Sequence, residues 1–165
     1  MLEGCAEKCL DDAGGVNWQL LYGKNQPHWF AWCHGAAGIG RFFLRAFSLT
    51  GDTRYRELGA AAAKAVASGG RRGGSTLCHG LAGNGSMLVD AYHVLGDDRW
   101  LDEAYSFGYL LELYARRAGE EVRWPAERPA VLTPDYMVGY AGTAAFLLRL
   151  ADPARVRAHL TLPLL

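Results

Sequence analysis

Trp32-Cys33-His34-Gly35-Ala36-Ala37-Gly38-Ile39-Gly40 and Leu77-Cys78-His79-Gly80-Leu81-Ala82-Gly83-Asn84-Gly85 share one pattern, in which an apolar residue and a Cys-His pair precede a spaced run of glycines. Cys33 and Cys78 are 45 residues apart, and the turn Gly51-Asp52-Thr53-Arg54-Tyr55 precedes Gly96-Asp97-Asp98-Arg99-Trp100 by the same 45. Self-similarity at a fixed period marks a repeat architecture, so the fold is read from the unit that recurs.

Each unit reads as a helical hairpin. Ile39, Phe42, Phe43, Ala46 and Phe47 fall at i, i+3, i+4, i+7 and i+8, one helical stripe. Gly51-Asp52-Thr53 ends that helix and caps the next, which carries Tyr55, Leu58, Ala62 and Val66 and stops at Ser68-Gly69-Gly70. In the second unit Leu88, Ala91, Tyr92 and Leu95 form the stripe, and a longer helix is expected from about Arg99 to Arg117. A degraded third copy, Tyr136-Met137-Val138-Gly139-Tyr140-Ala141-Gly142, keeps the glycines and opens a helix over about Thr143 to Leu150. Val16-Asn17-Trp18, a short strand or extended loop, is echoed by Val122-Arg123-Trp124-Pro125 ahead of the third motif. Residues 1–12 read as the last turns of a helix, with Cys5 and Cys9 on one face as ordinary core or surface thiols.

The predicted fold is all-α: an α/α toroid with one helix of each pair inside and one outside. Repeat units are expected at about 33–68, 78–117 and 137–160 within one partial domain over 1–165. A ring of this kind closes with about a dozen helices, so three hairpins make half of it. The other half then comes from a missing segment or another chain.

Composition narrows the function classes. Basic and acidic residues balance at 17 each, which argues against nucleic acid or an anionic membrane as partner. The N-terminus lacks an apolar signal region, and no run reaches the ~18 apolar residues of a membrane span. The expected compartment is cytoplasmic, where four cysteines are thiols or metal ligands rather than disulfides.

Cys33, Cys78 and His79 sit at corresponding helix entrances of adjacent repeats and are therefore expected to converge. Thiolate and imidazole are the ligands zinc prefers, and three of them leave a fourth position open, as in catalytic sites. Two thiolates already neutralise Zn²⁺, so a thiol bound at the open position would lose its proton yet stay electron-rich. His34 is a candidate pocket residue or an alternative ligand, and the bland alternative for the cysteines is a pair of buried thiols. His28, His93 and His159 have no partner pattern and read as surface or packing histidines. The glycines need no catalytic explanation, since tight turns into close-packed helices require small residues and positive φ.

Trp32-Cys33-His34-Gly35 and Leu77-Cys78-His79-Gly80 resemble the Trp-Cys-x-Gly and Cys-His-Gly zinc motifs of the lanthionine synthetase C-like (LanC-like) cyclases. Met137-Val138-Gly139-Tyr140-Ala141-Gly142 through Leu147-Leu148-Arg149-Leu150-Ala151-Asp152-Pro153 looks like that family's C-terminal signature, so the similarity spans the C-terminal half of its domain. The resemblance implies an α/α toroid and Zn²⁺ held by Cys33, Cys78 and His79. It also implies addition of a precursor-peptide cysteine to dehydroalanine or dehydrobutyrine, which forms the thioether ring of a lanthipeptide. The family's acid/base histidine and aspartate lie in its N-terminal half and match no stretch here. Trp29 stands where some relatives carry arginine. The dehydrated precursor peptide is the implied substrate, and the missing N-terminal half or a synthetase partner is the implied complement. The alternatives are a non-catalytic, zinc-holding peptide-binding module and a truncated cyclase fragment.

Overall fold

The computed structural model describes residues 7–8, 15–21, 29–128 and 130–156. Five helices dominate: α1 (Ala36–Thr50), α2 (Thr53–Gly69), α3 (Leu81–Leu95), α4 (Arg99–Glu112) and α5 (Tyr140–Ala151). Helices α1 and α2 form one hairpin, and α3 and α4 form a second in the same register. Helix α3 lies between α1 and α5, while α2 and α4 stack behind them. The fold is all-α in two layers, with α3 at its centre and buried almost all round over Leu81–Val89. Two complete hairpins and the first helix of a third are described; the end of the third expected unit, beyond residue 156, lies outside the described residues, as do Cys5, Cys9, His28 and His159.

The turns have the expected chemistry. Gly51 adopts the left-handed conformation (φ 71°) and its N–H donates to Phe47 O, while the Asp52 carboxylate accepts from Arg54 N at 2.9 Å and caps α2. The Arg54 side chain and backbone N–H, both bonded to Asp52, hold its carboxyl below the usual range. Gly96 repeats the left-handed stop (φ 67°) after α3.

The stripe on α1 is displaced from the expected one. Ala36, Ala37, Gly40, Arg41, Phe43 and Leu44 face inward, whereas Phe42 is 55% exposed. The helix docks by its smallest residues: a Cβ on Gly40 would lie 2.6 Å from Ala62 Cβ and 2.7 Å from Met87 Cε. Close approach selects a face that a stripe of large residues does not reveal.

Two further expectations are corrected. Glu7–Lys8 (β1) pairs antiparallel with Val16–Asn17 (β2), so these residues are strand rather than the end of a helix. Pairing gives this short segment backbone partners that an isolated helical turn would leave unsatisfied. Helix α4 ends at Glu112 rather than at Arg117, because Arg116–Ala118 (β3) turns back through Gly119 (φ 61°) onto Glu121–Arg123 (β4). Trp124 comes next, buried, with its indole N–H donating to Leu111 O at 3.0 Å, which ties the hairpin to the end of α4. The echo between Val16-Asn17-Trp18 and Val122-Arg123-Trp124 is structural, since each is a short strand followed directly by a buried tryptophan.

One polar network crosses the three front helices. Asp90 on α3 pairs with Arg41 of α1 at 2.5 Å and with Arg149 of α5, and Arg149 also donates to Ser86 O at 3.0 Å. Both guanidinium side chains are more than nine-tenths buried.

Candidate metal centre

The Cys-His pairs stand immediately before α1 and α3, whose N-caps are Gly35 and Gly80. The glycines explain why the loops lie so close. A Cβ on Gly38 would sit 1.8 Å from Trp32 O, on Gly83 1.8 Å from Leu77 O, and on Gly142 2.0 Å from Tyr136 O. The first glycine of each motif repeats this: Gly35, Gly80 and Gly139 face Trp29 O, Gly74 O and Thr133 O. Each loop therefore folds flat over the start of its own helix. Of these three N-caps only Gly35 has positive φ (99°), so close approach, rather than the positive φ expected, is the common requirement.

Those carbonyls also serve the helix ends. Leu81 N donates to Gly74 O at 2.9 Å and Tyr140 N to Thr133 O at 3.0 Å. In the first repeat a side chain is interposed: Asn17, fully buried, accepts from Ala36 N at 2.6 Å and donates to Trp29 O at 3.3 Å. The first loop thereby gains an anchor to β2.

Backbone bonds then join the three motifs side by side. Trp32 N donates to Cys78 O (3.0 Å), and Cys78 N to Met137 O (2.8 Å). Because repeats pack laterally, positions 45 residues apart become neighbours. The ligand atoms of Cys33, His34 and His79 all lie within 4.8 Å of one another, and Cys78 Sγ is 3.7 Å from His79 Nε2. His34 Nδ1 is 3.0 Å from Cys33 Sγ, so His34 belongs to the cluster. Met137, at the position equivalent to the cysteines, brings the third loop against them without adding a strong ligand. Exposed His93 sits in the last turn of α3, its ring against Tyr92, at the far end of the helix from the cluster.

Burial pushes the Cys78 thiol up to about 12, with its hydrogen bond to Cys33 and the nearby carboxylates of Glu127 and Asp135 adding to the effect. Without a cation the site therefore keeps a proton on Cys78. A divalent ion would displace it, and the N-terminal ends of α1 and α3 favour the resulting negative charge. The 4.8 Å group holds one thiol and two imidazoles, Cys33, His34 and His79, and Cys78 adjoins it through His79 rather than belonging to it; this borderline-soft donor set fits zinc.

Two residues at the site, Glu127 and Asp135, lie outside every motif, and Trp29 joins them. Trp29, half exposed, sets its ring edgewise to both His34 and His79, with centroids 6.4 and 6.5 Å away. Glu127 Oε1 lies 2.5 Å from His79 Nδ1. Asp135 Oδ1 accepts from Met137 N and Val138 N and so shapes the third loop. Only the recurrence of a tryptophan ahead of a motif, at Trp18 and Trp124, pointed to the segment that brings Glu127 in. A groove of about 670 Å³ opens beside His79, walled by Gly73–Thr76, Leu113–Arg116 and Pro125–Glu127.

Repeated helical hairpins whose Gly-rich entrances gather cysteine and histidine define a helical-repeat protein with a candidate metal centre. A family model described as "Lanthionine synthetase C-like protein" matches residues 6–161, and the chain belongs to that family. No curated protein matches the chain. Among the described residues no helix is long and apolar enough to cross a membrane.

Proposed function

We propose that Cys33, Cys78 and His79 hold a zinc ion, and that this chain is one partial cyclase domain carrying the metal-bearing part of a lanthionine cyclase acting in the cytoplasm. The observation supporting this reading is the convergence of two thiols and an imidazole, from repeats 45 residues apart, beside an open groove. Bound there, zinc supplies the Lewis acidity that makes a substrate cysteine thiol nucleophilic at neutral pH. The residues do the rest. Cys33 and Cys78 bring two negative charges, which leave electron density on an incoming sulfur instead of drawing it away. His79 completes a three-ligand set, and the rings of His34 and Trp29 lie against its own. The groove gives an extended, dehydrated precursor peptide room to lie alongside. Addition of its cysteine to dehydroalanine or dehydrobutyrine leaves an enolate that must be protonated, a step we assign to ring-completing helices or a synthetase partner.

A zinc-holding peptide-binding module is the second reading. It is favoured by one observation: among the described residues, His79, itself a proposed ligand, is the one histidine that lines the groove. A shared experiment tests what both readings require of the metal and separates them from a purely structural ion. Cobalt(II), which accepts the same ligands, reports each thiolate it binds by charge-transfer absorption. Titrating the cobalt-loaded chain with a cysteine-containing peptide is expected to increase that absorption, and a serine-containing analogue should leave it unchanged. Identical spectra with both peptides would mean that no position is open to a substrate thiol.

A further inference from the structure

Glu127 lies 48 residues from His79 in sequence and belongs to neither motif, yet its Oε1 is 2.5 Å from His79 Nδ1. Its position is held from several sides. Thr76 Oγ1 donates to the same Oε1 at 3.2 Å, Glu127 N donates to Val138 O at 3.2 Å, and Ser75 Oγ donates to Pro125 O at 2.6 Å. Thr143 Oγ1 in turn donates to Ser75 O at 2.8 Å, locking the 73–76 loop to α5. The carboxylate is thus delivered to one particular ring nitrogen, and the other, Nε2, faces the thiols at 3.7 Å from Cys78 Sγ.

We propose that Glu127 is the positioning residue of this centre: its carboxylate accepts the Nδ1 proton of His79 and fixes the tautomer in which Nε2 offers its lone pair to a metal ion. A neutral imidazole carries one proton, and a carboxylate at Nδ1 decides which nitrogen keeps it. The hydrogen bond also orients the ring and raises the basicity of the ligating nitrogen, so losing such a partner typically weakens metal binding about 10- to 100-fold. Thr76 orients the carboxylate. The affinity consequence rests on the zinc reading above; the tautomer does not.

The experiment uses the full chain, wild type and with Glu127→Gln, Glu127→Ala and Thr76→Val, each checked for its fold by circular dichroism. Nitrogen-15 spectra of the metal-free protein at about pH 8, where imidazole is neutral, are expected to show His79 as the Nδ1–H tautomer. Glu127→Gln keeps an acceptor oxygen and should retain that tautomer, whereas Glu127→Ala should shift the proton towards Nε2. Zinc affinity from chelator competition should fall about 10- to 100-fold in Glu127→Ala, with Glu127→Gln and Thr76→Val in between. An unchanged tautomer together with zinc affinity within twofold of wild type in Glu127→Ala would overturn the assignment. Wild-type protein that takes up no zinc would defeat the metal reading instead, and the tautomer in the metal-free chain would still decide for or against Glu127.

Discussion

Gly83→Ala is expected to destabilise the chain by at least about 3 kcal/mol, although it places the best helix former inside a helix. The added Cβ would sit 1.8 Å from Leu77 O; its place is fixed by the backbone that bears it, and the carbonyl is backbone too, so neither can rotate away. Relief requires the loop to lift from the start of α3, and that loop carries Cys78, whose N–H and C=O join the third and first motifs. The substitution should therefore loosen the metal centre as well as the fold. Gly96→Ala is the control: no atom lies within 4 Å of its Cβ, so only the left-handed φ is strained, at about 1–2 kcal/mol. Urea unfolding of both variants measures the contrast. Equal, small losses would show that the loops are not packed as described.

Asp90→Ala should cost about 3–5 kcal/mol, because it leaves two buried guanidinium groups, Arg41 and Arg149, facing each other without a counter-charge. Removing the whole network is a different matter. Arg41→Met, Asp90→Leu and Arg149→Met together are expected to be near neutral or mildly stabilising, as for other buried ion clusters replaced by apolar groups. The comparison separates the cost of an orphaned charge from the worth of the network itself. If Asp90→Ala unfolded at the same urea concentration as wild type, the three front helices could not be joined through this residue.

Much of this architecture is written in the repeat. The period of 45, the left-handed glycines at Gly51 and Gly96, and the Asp52 cap place α1 to α4 from residue order alone. Lateral stacking of equal units is enough to bring Cys33 to Cys78. The features that stay hidden depend on partners distant in sequence. Arg41, Asp90 and Arg149 lie on three different helices, and no spacing along the chain pairs them before those helices pack together. Arg116 and Arg117 favour helix by propensity, yet the turn at Gly119 and the anchoring of Trp124 take them into a strand. Glu127 comes directly after that same hairpin, so its meeting with His79 could not be read without first finding the hairpin. Phe42 fails as a core residue for the opposite reason: Gly40 and its small neighbours make the tighter contact.

The most direct test of the central claim is the zinc content of the purified, reduced chain beside Cys33→Ala and Cys78→Ala, with proton release monitored during uptake. One zinc per wild-type chain is expected, lost in both variants. Because burial holds the Cys78 proton to about 12, uptake at neutral pH should release at least that one proton per ion, and affinity should rise with pH. A folded wild-type chain that binds no zinc, or variants that keep it, would contradict the metal centre described here.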